Sequence, residues 1–393
     1  MYVHTNTIFH QLLHFIPRDR FERFVGQHGG DRYAKTLSTW NQLAVLLYAQ
    51  ATGKDSLREI ETGLLAQQQS WHHLGLKTAA RSTLSDANNR RSYEMFKKLF
   101  MELHERCKGL TPGSREFRFK NPLYALDSTT VMLCLSVFDW AHYSKQKGAL
   151  KLHTLLDLRS SIPEIVVDTT GKGSDVGTGR TMNLSSLQKG SIIVMDRGYC
   201  DYAWWQKLGT QGLFFVTRPH PVSAVMTVLG QHADPDLARG VLKDEIIRIG
   251  TYPRAALHPE PLRLVTFYDK EKHETYQFLT NNWKLSGATI ASIYKHRWDI
   301  EVFFKWVKQH LKIKTFLGTS HNAVLTQVWV ALIYYLLLTY IKFQTRFTKS
   351  LLELTRMVKE TLLIRRPLID LLSLSTKTMA RLTMRDGPQM ALF

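Results

Sequence analysis

Five short runs of extended, apolar sequence between Leu123 and Thr217 constrain this chain most. Their apolar residues follow no helical period, so each needs a sheet to bury it. They are Leu123–Leu135 (LYALDSTTVMLCL), Lys151–Leu158 (KLHTLLDL), Ile162–Thr169 (IPEIVVDT), Ser191–Asp196 (SIIVMD) and Leu213–Thr217 (LFFVT). A helix starting near Asp201 separates the fourth from the fifth. Three successive strands, a strand–helix pair and a further strand predict an α/β fold, a mixed sheet covered by helices. Residues 219–280 are alternating and turn-rich (RLVTFYD, TYQFLTN), which predicts a β-rich insertion.

Both flanks have a helical period. Over residues 1–115 apolar positions recur at three and four, as in Ile8-Leu12-Leu13-Phe15 and Trp40-Leu43-Leu46-Leu47. Ser56, with Glu59 three residues on, suits the cap of a helix running LREIETGLLAQQ. A Gly-containing turn (HHLGL) and a polar second helix (RSTLSDANNRR) follow, the order of a helix-turn-helix. On that reading Arg81, Asn88, Arg90 and Arg91 reach phosphates or base edges. An ordinary helical hairpin with a solvated face has the same pattern.

Residues 111–122 (TPGSREFRFKNP) have linker composition, and the helical period resumes from Gly287 with interruptions near Gly318 and Pro367. Val328–Ile341 is continuously apolar for about 14 residues, short of the roughly 20 of a membrane span, and reads as a buried core helix. No signal peptide is read at the N-terminus. The expected division is a helical N-terminal domain (1–115), the first part of the sheet domain (116–218), the insertion (219–285), the end of the sheet domain (286–320) and a C-terminal helical region (321–393).

Charge narrows the partner. The 393 residues carry 52 Lys+Arg against 33 Asp+Glu, a formal net charge of +19. A surplus of this size calls for a polyanion, either nucleic acid or an acidic membrane surface. Lys and Arg also outnumber acids over 301–370, with Lys312, Lys314, Arg346, Lys349, Arg356, Lys359, Arg365 and Arg366 among them. The three cysteines (Cys107, Cys134, Cys200) are odd in number and lack a CxxC, which excludes a disulfide scaffold and a Cys-ligated zinc site. They fit a reducing compartment, and the location expected is cytoplasmic. His72, His73, His142 and His220 show no metal-ligand spacing.

Three acids stand out by position. Asp127 interrupts an apolar strand and Asp196 ends one. A lone acid in such a place is costly unless it is paired, bonded to backbone amides or holding a cation. Two of them in one sheet of a basic chain favour a shared hard-cation site, where Mg²⁺ takes carboxylates together with substrate phosphates. The third acid lies in YKHRWDIEVFFKWVKQHL, residues 294–311. Read as one helix, it puts Tyr294, Arg297, Glu301, Lys305 and Lys308 on one face and Ile300, Phe303, Phe304 and Val307 on the core side. That face is too basic for ion pairing alone.

The spacing Tyr294-x2-Arg297-x3-Glu301-x6-Lys308 resembles the Y-R-E-K signature of the bacterial transposases typified by insertion sequence four. LDSTTV around Asp127, KGALKLHTLLDL at 147–158 and MDRGY at 195–199 agree with it, and the likeness covers nearly the whole chain. It implies a ribonuclease-H-like core with a catalytic, metal-holding DDE triad of Asp127, Asp196 and Glu301, and two Mg²⁺ or Mn²⁺ ions. It also implies a β-rich insertion between the second Asp and the Glu, and DNA contacts from Tyr294, Arg297 and Lys308, with Lys305 beside them. Relatives stack an extruded base on a Trp of the insertion. Trp283 is near that position, and a core Trp is the alternative. The activity implied is cut-and-paste transposition on double-stranded DNA, both element ends and target, by a homodimer and away from membranes. The competing readings are a nuclease of the same fold that does not join ends and a DNA-binding regulator without catalysis. A two-carboxylate glycosidase fits the charge poorly.

Overall fold

The structure, a computed structural model, describes residues 6–71, 76, 79–108, 119–133, 138, 140–144, 147–170, 173–220, 226–250, 257–310, 316–345, 347–368 and 372. His72, His73 and the turn after them, residues 111–118 of the linker, Cys134, Leu135, Lys312, Lys314 and Arg346 lie outside the described residues. The chain forms two units, one of residues 112–305 and one of 1–111 together with 306–393.

The first unit is built on one sheet. Its strands are β1 (Leu123–Leu133), β2 (His142–Ser144), β3 (Lys147–Asp157), β4 (Ile162–Thr170), β5 (Ile192–Met195), β6 (Phe214–Thr217), β7 (Met226–Gln231), β8 (Val241–Ile249), β9 (Leu262–Asp269) and β10 (Glu274–Thr280). β1, β3 and β4 are antiparallel neighbours, and β5 and then β6 add parallel to β1. Spatial order β4-β3-β1-β5-β6 with that polarity is the ribonuclease-H-like arrangement. The insertion strands extend the same sheet, β10 pairing antiparallel with β6 and β9, β8 and β7 following.

β5 (IIVM) is buried along its whole length because helices cover both faces. On one face Trp204 and Trp205 of α8 (Tyr202–Thr210) join Leu126, Ile193, Met195 and Phe215 in a core cluster. Trp205 stacks on Phe215 at 4.9 Å, a contact adding about 0.5–1.5 kcal/mol beyond its buried area. The opposite face takes α9 (Gly287–Lys295), whose Gly287 lies against Val241 and Val265. Before α8 comes α7 (Asp175–Thr181), and after α9 comes α10 (Trp298–His310).

The second unit is helical. It contains α1 (Ile8–His14), α2 (Arg18–Gln27), α3 (Thr39–Thr52), α4 (Leu57–Leu65), α5 (Arg81–Arg90) and α6 (Glu94–Cys107) from the first part of the chain. From the last part come α11 (His321–Gln344) and α12 (Leu351–Thr361). α11 is long and apolar enough to cross a membrane, but 94% of its most apolar window is buried in the protein. It is a core helix, packed on α3, α5, α6 and α12. It is longer than its apolar run because a polar first turn, capped by Ser320, precedes that run.

Serine starts many of these helices. Ser38, Ser56, Ser174, Ser286, Ser320 and Ser350 each accept the N–H three residues on, a cap that contributes about 1 kcal/mol against Ala. The free thiols Cys107 and Cys200 have pKa values raised by burial, to about 11 and about 12, so neither is a reactive thiolate at neutral pH.

Candidate active site

Pairing between β1 and β5 sets the first two acids side by side. The strands run parallel with Leu126 opposite Met195, and Asp127 and Asp196 are the next residue on each. Asp127 stays within β1, and its Oδ1 accepts the Ser128 N–H at 2.7 Å. At Asp196 the strand gives way to a short 3-10 helix, Arg197–Tyr199, which the Asp196 carboxylate caps by accepting the Gly198 N–H at 2.7 Å. That approach accounts for the glycine of MDRGY, since a Cβ at Gly198 would lie 2.9 Å from Asp196 Oδ1. β6 lies beside β5 with Val216 opposite Val194, so Arg218 follows it to the same end of the sheet as Asp196.

Glu301 arrives on a different element from Tyr294. The continuous helix expected over 294–311 is broken: α9 ends at Lys295, His296 and Arg297 form a turn, and α10 begins at Trp298. The restart puts Asp299 and Glu301 in the first turn of α10, where the helix dipole favours carboxylates. It also aims Arg297 at the sheet. Arg297 Nη1 donates to Asp127 Oδ2 at 3.1 Å and Nη2 to Glu301 Oε1 at 2.7 Å. The Tyr294 ring lies 5.9 Å from the guanidinium carbon and packs on Phe278 at 5.0 Å.

Burial pushes Asp127 up to about 6, with the charges of Asp196 and Glu301 adding to the rise and Ser128 N–H and Arg297 opposing it. Burial by itself would lower the pKa of Arg297, but the hydrogen bond to Glu301 and the nearness of Tyr294 and Asp127 leave it raised. Asp127 and Glu301 therefore share one guanidinium, with Asp196 beside Asp127 on the next strand. Among the described residues no group of His, Cys, Asp and Glu closes on a single point as a ready-made metal cage; the guanidinium stands between Asp127 and Glu301 instead. The donor set still fits a hard cation, since it is all carboxylate oxygen.

A family model described as the transposase DDE domain matches residues 118–337. The chain is 32% identical to a protein of Sinorhizobium fredii named as a transposase, over 72% of this chain and 77% of that one. It is 31% identical to a protein of Geobacillus stearothermophilus named as the transposase for insertion sequence element IS5377, over 77% of this chain and 82% of that one. The chain belongs to the DDE transposases. Its first 77 residues are partly matched by a second model, a domain of unknown function covering residues 4–77. Divalent metal ions and DNA are the cofactor and partner of such transposases.

In this transposase the other residues singled out from the sequence separate into two groups. Lys305 and Lys308 are exposed on α10, and Ile300, Phe303, Phe304 and Val307 are buried on its core side. Trp283 is 38% exposed, in the turn between β10 and α9, with His232 edge-on at 5.3 Å. Arg81 and Arg90 are exposed on α5. Asn88 and Arg91 do not share that surface, contrary to the sequence reading. Asn88 is 2% exposed and accepts from Gln42 Nε2 at 2.8 Å. Arg91 donates to Gln42 Oε1 and to the carbonyl of Leu37. The sequence reading grouped both with Arg81 and Arg90 as side chains of a polar second helix; in the structure they bond the polar residue Gln42 inside α3.

Two residues at the site were not found from the sequence. Arg218 stacks over Tyr276 at 4.9 Å and lies close enough to Tyr294 to act on its hydroxyl. The signal was the basic residue directly after LFFVT. Trp298, next to Arg297, is 61% exposed. A tryptophan so open to water is not part of the core.

Proposed function

We propose that this chain cuts double-stranded DNA at the terminal repeats of a mobile element and joins the freed ends to a target, using Asp127, Asp196 and Glu301 as its catalytic acids. The observation that carries the reading is the register that sets Asp127 beside Asp196, together with the Arg297 bridge from Asp127 to Glu301. The three carboxylates would hold Mg²⁺ or Mn²⁺, two ions per site. Bound there, such ions supply an activated water and neutralise charge on the leaving 3′-oxygen of a phosphodiester.

The chain's own residues do the positioning. Among the described residues the buried Arg297 Nε has no hydrogen-bond partner, and the guanidinium as a whole suits a phosphate oxygen beside the acids. Tyr294, Arg218, Lys305 and Lys308 lie on the elements around it and suit the neighbouring phosphates. Trp283 and Trp298 offer flat faces to unstacked bases. Arg81 and Arg90, exposed on α5, are further cations suited to duplex phosphates. Because two element ends are joined in one event, the working species is at least a homodimer. DNA as the substrate would place the protein at the nucleoid.

The test is strand transfer with the full chain, Mg²⁺ or Mn²⁺, labelled DNA carrying the element's ends and a supercoiled target. End cleavage and joined product are expected from wild type, and Glu301→Gln should abolish both while still binding DNA. Cleavage without joining would leave a nuclease, and binding without cleavage a regulator.

A further inference from the structure

Behind the two aspartates, on the opposite face of β1, lies a second polar cluster that the reaction as described does not use. Its centre is Asp175, the first residue of α7. Lys151 Nζ donates to its two oxygens at 2.8 and 2.9 Å, and Ser128 Oγ donates to Oδ1 at 2.6 Å. The Tyr199 hydroxyl stands 3.5 Å from the same Oδ1. His153 lies beneath, fully buried, its Nδ1 3.6 Å away and its Nε2 3.0 Å from Thr169 Oγ1.

The partners of Asp175 tie it to both acids. Ser128 follows Asp127, and strand alternation sends the two side chains to opposite faces. Ser128 therefore gives its N–H to the Asp127 carboxylate at 2.7 Å and its O–H to Asp175 at 2.6 Å. Tyr199 ends the 3-10 turn that Asp196 begins, and its N–H returns to the Asp196 carbonyl at 3.2 Å. The hub thus grips β1 one residue after the first acid and the turn three residues after the second. Lys151 cancels the hub's own charge, so it braces the site without competing for its cation.

We infer that Asp175 is a positioning residue that holds the Asp127 and Asp196 carboxylates in the spacing a divalent ion needs, acting through Ser128 and Tyr199. The inference rests on the triad proposed above. Outer partners of ligating carboxylates commonly alter metal affinity or activity by about 10–100-fold when removed. A brace whose two anchors act together should also give non-additive losses.

The experiment measures Mn²⁺ binding to the full chain by electron paramagnetic resonance, alongside Mg²⁺ titration of end cleavage, DNA affinity and thermal unfolding. The variants are Asp175→Asn, Ser128→Ala, their double, and Glu301→Gln as control. Asp175→Asn and Ser128→Ala are each expected to weaken Mn²⁺ binding about tenfold and to raise the Mg²⁺ needed for half-maximal cleavage in step. DNA affinity should hold, and the double variant should be little worse than either single. Wild-type Mn²⁺ binding in Asp175→Asn and Ser128→Ala, with Glu301→Gln impaired, would overturn the brace alone. Losses that add in the double, or that track a fall in melting temperature or DNA affinity, would also overturn it. Wild-type Mn²⁺ binding in Glu301→Gln would overturn the triad and the brace together.

Discussion

His153 shows how one side chain can set a pH limit on the whole sheet. Burial pushes its pKa down to about 4, with Lys151 adding to the fall and Asp175 opposing it. The unfolded chain would titrate near 6.5. A depressed histidine contributes stability that is fully present above the unfolded pKa and is lost as pH falls through the folded one. Between pH 7.5 and 4.5 the wild type should therefore lose about 2–3 kcal/mol from this residue. Urea unfolding at both pH values, with His153→Gln as reference, checks it; the variant should show a shallower decline. The acids at 127 and 196 were legible in the sequence because each interrupts or ends an apolar run. Asp175 was not, since an Asp in a Gly- and Ser-rich loop looks like any helix start until the fold shows what faces it.

At the scale of elements, the turn that presents Trp283 stands on a buried ion pair. Arg263 donates to both oxygens of Asp244 at 2.7 and 2.6 Å, and its Nη1 reaches the carbonyls of Asn282 and Leu285, on either side of the tryptophan. Asn282 Oδ1 accepts the N–H groups of Lys284 and Leu285. Arg263→Met would strand the Asp244 carboxylate in the core and is expected to cost about 3–5 kcal/mol in equilibrium denaturation. Replacing both partners with apolar residues should cost much less. Neither half of this pair could be read from the sequence, because each looks like a solvated charge on an alternating strand. The broken helix at 296–297 was hidden for a related reason. Its residues keep a helical period across the break, and what interrupts it is the reach of Arg297 to Asp127 on a strand far earlier in the chain.

For the molecule as a whole, the +19 charge makes DNA affinity a function of salt. Removing one phosphate-binding cation should reduce the slope of log affinity against log salt by about 1. Arg81→Ala with Arg90→Ala is expected to reduce it by about 2 and to weaken binding evenly across sequences. Filter binding over a salt series reads this directly. An unchanged slope would take α5 out of the interface. The strand set, the helical flanks and the β-rich segment were legible from periodicity: a strand buried on both faces, such as β5, leaves a continuous apolar run, and the half-exposed strands of 219–280 leave alternation. That the two helical flanks form a single unit was not, because no local pattern records a partner two hundred residues away.

That pairing has a consequence for how the protein is made. The N–H groups of Ile8 and Phe9 bond the carbonyls of Ile364 and Leu362, and Gln11 bonds the backbone of Arg366 and Leu368. α3 and α6 lie against α11. A ribosome delivers α1 to α6 first and must then finish the entire sheet before their packing partner emerges. Throughout that interval the apolar faces of α3 and α6 that pack on α11 lack their cover, and any copy whose translation stops short of α11 leaves them so permanently.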